Sequence, residues 1–255
     1  MISLSGSVAL VTGSSRGIGR ATLLALARAG CDVCVTYLNS ARNAREVAEE
    51  AERLGRKAIV VKADLSEPDD VRALCGFVDK EFGRLDILVS NAAGGGFRTL
   101  LETTPAQFDY AMRINVQALM LLAQHGAPLL GRTRLGRARL ITMTSLGGTR
   151  ALPRYGLIGA GKGALESMTR HLALELGPQG VNVNCVCAGL VDTGALSALP
   201  NKEEIFAARR QRSLVGGGDL TPEDVAGVVL FLASPLADKI QGQTIVVDGG
   251  TSIQV

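Results

Sequence analysis

Tyr155 and Lys162 stand seven residues apart in "YGLIGAGK", at the head of a helix-like run. A phenol can donate to an oxygen that gains negative charge, and a nearby ammonium favours the polarised phenol. Seven residues is close to two helical turns, so on a helix both side chains share a face. Pro153 suits the first turn of such a helix, where no N–H is needed. Ser145 lies ten residues before Tyr155, at the end of an apolar run. Two roles fit its hydroxyl: assisting a carbonyl, or satisfying a backbone group at the strand end.

Positioning these groups requires a scaffold, and the chain shows one. Short Val/Ile-rich runs at Val8–Gly13, Asp32–Tyr37, Ala58–Asp64, Leu85–Ala92, Arg139–Ser145, Val181–Gly189 and Gly242–Gly250 read as buried strands. They alternate little between apolar and polar, as parallel strands covered on both faces should. Helical periods lie between them at Arg16–Ala29, Ala41–Leu54, Glu67–Phe82 and Pro105–Leu130. Strand–helix alternation throughout predicts an α/β fold: one Rossmann-type domain over 1–255, with a doubly wound parallel sheet of seven strands and helices on both faces. Two stretches break the rhythm. "GRTRLGRARL" carries Arg132, Arg134, Arg137 and Arg139 and reads as a solvated turn on the side away from ligands. Residues 193–219 form a long insertion after a strand, helical in its middle, as a lid over a pocket would be.

"VALVTGSSRGIGRA" places a glycine-rich turn directly after the first strand and before a helix. Gly13, Gly17 and Gly19 permit the tight turn and let the backbone approach a pyrophosphate at the helix N-terminus, with Ser15, Arg16 and Ile18 between them. The second strand ends in Tyr37, Leu38, Asn39 and Ser40, without the carboxylate that would bond the ribose 2′-OH of NAD. Arg16 and nearby Arg42 suit a 2′-phosphate, so NADPH is the expected cofactor. Asp64, next to Leu65, could accept from the adenine amino group or cap the following helix, a role Ser66 fills more naturally. Asn91, Ala92 and Ala93 in "SNAAG" are small enough for a cofactor to lie close to the backbone.

On these motifs the chain resembles the short-chain dehydrogenase/reductase superfamily over nearly all its length. The resemblance runs from "TGSSRGIG" through "NAAG", Asn115 in "RINVQAL" and Ser145 in "ITMTS" to Lys162 and "GQTIVVDGG". It implies an active site of Ser145, Tyr155, Lys162 and Asn115. The Tyr would donate a proton, the Lys would lower its pKa and hold the nicotinamide ribose, and the Asn would support a water relay. It also suggests a homotetramer, with "ALESMTRHLALEL" and the C-terminal strand in the interfaces. Around Gly189, backbone and hydroxyl groups of Val191 and Thr193 could fix the nicotinamide carboxamide, or form an ordinary capped loop.

One position departs from that pattern. The usual three-residue gap between Tyr and Lys would put the donor at Ile158, which has nothing to donate. Tyr155 is one turn earlier, about 4.5 Å along a helix axis. Three readings compete: a non-catalytic NADP-binding sensor, a carbonyl reductase with a shifted donor, and an enzyme for a different substrate. Geometry favours the third. When hydride goes to Cβ of an enoyl thioester, charge appears on the thioester oxygen, farther from the hydride than a ketone's own oxygen. A donor helps most where charge develops, so it must be displaced.

"LGGTRALPRYGLIGAGKGALES" and "CAGLVDTGAL" are similar to bacterial enoyl-acyl-carrier-protein reductases, closest to the NADPH-dependent type III group. That resemblance implies reduction of the C2=C3 bond of a trans-2-enoyl thioester, in fatty-acid synthesis or a specialised pathway. The thioester would be carried by coenzyme A or by acyl carrier protein. Ala151 stands where a second tyrosine would be expected, and Gly156–Gly163 is unusually glycine-rich. Lys202, Arg209, Arg210 and Arg212 in the lid would attract an acidic carrier protein or form a solvated helix face.

Composition narrows the class. A net charge of +3 is too small to indicate nucleic acid or a membrane surface, and Trp is absent. The N-terminus lacks a basic n-region and long apolar run, so no signal peptide is expected. The five cysteines Cys31, Cys34, Cys75, Cys185 and Cys187 fall in apolar runs without zinc spacing. They read as reduced, buried small hydrophobes of a cytoplasmic protein. His125 and His171 have no second ligand at metal spacing, and no metal is expected.

Overall fold

The computed structural model describes residues 2–196, 201–216 and 218–253. Its centre is a seven-stranded parallel sheet: β1 Val8–Val11, β2 Asp32–Tyr37, β3 Ala58–Lys62, β4 Ile87–Ser90, β5 Ala138–Ser145, β6 Val181–Ala188 and β7 Thr244–Val247. Spatial order is β3-β2-β1-β4-β5-β6-β7. The order reverses between β1 and β4, so a crevice opens beyond their C-terminal ends, where open α/β sheets bind ligands. Among the described residues, eight α-helices complete the layers: α1 Gly17–Arg28, α2 Ala41–Arg53, α3 Pro68–Phe82, α4 Pro105–Met112, α5 Ala118–Leu130, α6 Gly156–Leu176, α7 Lys202–Arg212 and α8 Pro222–Ala233.

Strand pleating explains why both sheet faces are apolar. In β1, Ala9 and Val11 face one core with Leu23 and Leu24 of α1, Val47 of α2 and Val229 of α8. Val8 and Leu10 face the other, with Leu74 of α3, Leu122 of α5 and Leu165 of α6. Alternate residues therefore bury themselves on opposite sides, which removes the polar stripe of a half-exposed strand. Each fully buried Leu or Val contributes roughly 1.5–3 kcal/mol relative to exposure.

The helix expected over Pro105–Leu130 is interrupted. Arg113–Gln117 forms a π-helical turn between α4 and α5, with Asn115 in its centre. Such a turn inserts an extra residue into the helical ladder and is often found at functional sites. Hydrophobic periodicity misses it because the apolar pattern continues through the turn. The basic run also differs from expectation. Arg139 lies inside β5 at 1% exposure, fixed by register to Ile87 of β4 and Asn182 of β6. Its guanidinium donates to Asn182 Oδ1, to the Ser234 carbonyl and to Asp238. It is a buried clamp across the N-terminal edge of the sheet, while Arg132 pairs with Asp79 at the surface. Among the described residues no helix is long and apolar enough to cross a membrane.

Candidate active site

A cavity of about 800 Å³ opens at the C-terminal edge of the sheet. All the expected cofactor and catalytic positions line it except Asp64 and Asn115. Gly13, Ser15, Arg16, Gly17, Ile18 and Gly19 form one wall. Tyr37, Asn39, Ser40 and Leu65 lie at one end, and Asn91, Ala92 and Ala93 follow β4 into it. Gly189, Val191 and Thr193 enter from beyond β6.

The glycine turn has the shape a dinucleotide requires. Gly13 and Gly17 take φ values of +64° and +56°, a region that disfavours any residue with a Cβ. A Cβ on Gly19 would meet Asn91 Nδ2 and the Gly13 carbonyl, both at 2.5 Å, so the backbone is as close as it can be. Asn91 Nδ2 donates to the Thr12 carbonyl at 2.8 Å and ties this turn to the end of β4. Arg16 caps α1 without a side-chain hydrogen bond, and the first turn holds no acid. Its N–H groups and helix dipole thus suit a diphosphate. These residues fit NAD(P).

Tyr155 reaches the cavity by a different route from the one expected. α6 begins at Gly156, Tyr155 is its N-cap at φ −105° and ψ −1°, and Pro153 lies in the preceding turn. Packing, rather than a shared helix face, aims the ring. A Cβ on Gly147 would fall 2.3 Å from the ring, so only glycine leaves room for it there. Phe97 packs on the other side, with ring centroids 6.0 Å apart. The phenol oxygen shares a 2.9 Å hydrogen bond with Ser145 Oγ. That bond joins the end of β5 to the head of α6 and settles the hydroxyl's place at the site. Burial raises the Tyr155 pKa against the opposing Ser145 hydrogen bond, so the phenol keeps its proton.

The glycine-rich start of α6 now has a steric reason. A Cβ on Gly159 would stand 2.5 Å from the Gly147 carbonyl, one on Gly163 3.1 Å from that of Gly148, and one on Gly161 3.2 Å from Asn115 Cβ. These glycines let the helix press against the turn that carries Gly147. Lys162 follows, buried, with Nζ donating to the Met143 carbonyl at 2.7 Å. Burial lowers its pKa to about 8, while the Cys185 and Cys187 thiols oppose the shift. Asn115 stands behind the wall. Its Nδ2 donates to the carbonyls of Gly94 at 2.7 Å and Ala111 at 2.8 Å, and its Oδ1 accepts from Gly94 N–H. It braces the loop after β4, with its side-chain amide bonded to backbone groups.

Other expectations change as well. Asp64 Oδ1 accepts from Ser66 N–H and hydroxyl at 2.9 and 2.7 Å, and the residue is not at the cavity wall. Glu67 occupies the N-cap position of α3, without a side-chain cap. Arg42 pairs with Glu46 at 2.9 Å and stays outside the cavity, leaving Arg16 as the basic group beside the turn. A β-bridge between Val191 and Leu220 flanks the expected lid, and α7 occupies its middle; residues 197–200 and 217 lie outside the described ones. Lys202 pairs with Asp192 and Arg210 with Asp219, while Arg209 is buried at 8% exposure and lines the cavity with Arg212. The four cations therefore do not share one face: Arg209 turns inward, and Lys202 and Arg210 pair with local acids. Sequence reasoning missed Gly147, Phe97 and Arg150 at the site; the paired glycines of "SLGG" were the available signal for the first.

Comparison with known proteins agrees with this geometry. The family described as "Enoyl-(Acyl carrier protein) reductase" matches residues 13–252. A 1-cyclohexenylcarbonyl-CoA reductase of Streptomyces collinus is 36% identical over 96% of this chain and 87% of its own. A hydroxynaphthalene reductase of Aspergillus fumigatus is also 36% identical, over 94% and 90%. A short-chain dehydrogenase of Burkholderia cenocepacia, solved in complex with NADP, superposes with a TM-score of 0.89 at 37% identity, covering 98% of this chain and 99% of that one. With the glycine turn, the strand order and the Ser–Tyr–Lys cluster all accounted for, the chain belongs to the short-chain dehydrogenase/reductase superfamily and is an NAD(P)-dependent oxidoreductase.

Proposed function

We propose that this enzyme uses NADPH to reduce the C2=C3 bond of a trans-2-enoyl thioester, as the type III enoyl reductases it resembles would. The carrying observation is the Tyr155–Ser145 hydrogen bond at 2.9 Å, formed ahead of α6 while Ile158 fills the helix position four before Lys162. The donor is thus kept, but set back from the lysine. Bound along the glycine turn, the reduced nicotinamide supplies hydride to Cβ. The double-bond electron pair then moves onto the thioester oxygen, where the Tyr155 hydroxyl donates a hydrogen bond. Ser145 Oγ orients that hydroxyl, and a phenol held protonated by burial suits hydrogen bonding better than full proton release. Lys162 holds the ribose hydroxyls, and a proton from solvent completes the reduction at Cα. The absence of a carboxylate among Tyr37, Leu38, Asn39 and Ser40, with Arg16 at the wall, supports NADPH over NADH.

The ring-bearing enoyl substrate named for the Streptomyces relative supports a bulky acyl group. A second reading is ketone reduction. The Ser145–Tyr155 couple would polarise a ketone too, and the hydroxynaphthalene reductase relative supports it. NADPH oxidation with crotonyl against acetoacetyl thioesters separates the two. Turnover of the enoyl compound is expected; turnover of the β-keto compound alone overturns the proposal. Self-association into a tetramer is part of the same proposal, supported by exposed Leu174 and Val246 on the expected interface elements.

A further inference from the structure

The cavity carries cations at both ends. Arg16 lies by the glycine turn, Lys162 in the middle, and Arg150, Arg209 and Arg212 toward the far end; no Asp or Glu is among the described lining residues. Arg209 stands out. It comes from α7, is more than nine-tenths buried, and leaves Nε and Nη1 without a hydrogen-bond partner. Its Nη2 makes one long bond, 3.4 Å, to the Asp248 carbonyl just past β7. A buried guanidinium with unused donors is costly, because the lost hydration is not replaced.

The nearby carboxylates do not replace it. Asp224 is close enough for Arg209 to lower its pKa, yet its Oδ2 accepts from Thr221 N–H and hydroxyl in the cap of α8. The Asp248 carboxylate accepts from Gly250 N–H, Thr251 hydroxyl and Ser252 N–H. Both acids are turned to the backbone. Position separates Arg209 from the diphosphate wall: the glycine turn follows β1, whereas Asp248 follows β7 at the sheet's far edge, with the Ser145–Tyr155 pair at β5 between.

We propose that Arg209 receives an anionic oxygen group of the substrate, a carboxylate or a phosphate, at the end of the cavity beyond Tyr155. The inference rests on the enoyl-thioester reading and names the part of the substrate that reading left open. A phosphate would sit on the pantetheine arm of the thiol carrier; a carboxylate would sit on the acyl chain. The unused donors are closed to solvent as the side chain stands, so the anion would draw the guanidinium round to the cavity, where charge-assisted bonds would replace the missing hydration.

Calorimetry on the NADP⁺-loaded full chain tests this without turnover. Three saturated ligands serve as probes: neutral butyryl-pantetheine, butyryl-4′-phosphopantetheine and glutaryl-pantetheine, which carries a carboxylate. One of the two anionic probes should bind about tenfold tighter than the neutral one, and which one does so identifies the source of charge. Arg209→Gln should level that preference, Arg209→Lys should keep part of it, and neither should change NADPH affinity. Equal binding of all three by the native protein overturns the proposal. So does an unchanged preference in Arg209→Gln, or a loss of NADPH affinity, which would give the guanidinium to the cofactor. Reduction of neutral crotonyl-pantetheine, measured alongside, reports on the enoyl reading alone: its absence with an intact anion preference sinks that reading and leaves Arg209 as the anion receptor.

Discussion

The two edges of the sheet bury charge in opposite ways. At the N-terminal edge, Asp86 is fully buried and saturated: its carboxylate accepts from Val8 N–H, Arg134 N–H, the Thr133 hydroxyl and Arg84 Nε. Arg139 beside it is tied to Asn182, Ser234 and Asp238, with only its Nε left without a partner. At the C-terminal edge, Lys162 makes one bond to a carbonyl, Tyr155 shares one with Ser145, and Arg209 has one that is long. Saturated groups hold strands and helix ends in register. Undersatisfied ones keep capacity for something that arrives later, at a cost in stability that the first edge helps offset.

If that division is right, substitutions at the two edges should separate stability from activity. The largest effect is expected at Arg139. Arg139→Met removes the donor to Asp238 and to the buried Ser234 carbonyl, while Asn182 keeps Arg137, and should cost about 3 kcal/mol in denaturant unfolding. Activity per folded molecule should be unchanged; a selective fall in kcat would break the division. Tyr155→Phe should do the reverse, lowering kcat/KM by about 10²–10³-fold with unchanged melting and NADPH affinity. Unchanged turnover would remove the phenol from the mechanism. Gly147→Ala sharpens the same point: the added methyl would displace the ring, and turnover should fall by about 10²-fold while cofactor affinity holds.

Smallest is a pH effect. The Lys162 amine is charged below about pH 8 and neutral above it, so NADPH affinity should decline as pH rises through 8. Fluorescence titration from pH 6.5 to about 9.5 reads this directly. In the cofactor-free protein the sign for stability is opposite. An unfolded lysine holds its proton up to 10.5, so between about 8 and that value the unfolded state binds more protons and folding strengthens with pH. A flat affinity profile would mean the amine's charge does not serve the cofactor.

Much of the scaffold was legible because each strand is a short Val/Ile run and each helix has its own apolar stripe. The glycine turn was legible because its residues sit between a strand and a helix, with no other job to do there. Tyr155 was found as a donor, but its path was misread: a heptad-like spacing to Lys162 suggests one helix, whereas the chain enters α6 at Gly156. Arg139 was hidden in a run of arginines whose members differ only in tertiary register, here against Asn182 of β6 and the end of α8. Arg209 was hidden likewise, since α7 carries three arginines near its end and which of them turns inward follows from packing. The π turn around Asn115 was not legible, because the apolar pattern runs through it unbroken.

The Val191–Leu220 bridge draws the two ends of the segment carrying α7 together at the rim of the sheet. Everything between those residues leaves and returns at a single point. It can therefore be exchanged as a cassette, lengthened, shortened or replaced by a relative's, without rerouting a strand. The architecture thus separates what must stay constant, the hydride end of the cleft, from what can be rewritten to admit a new substrate.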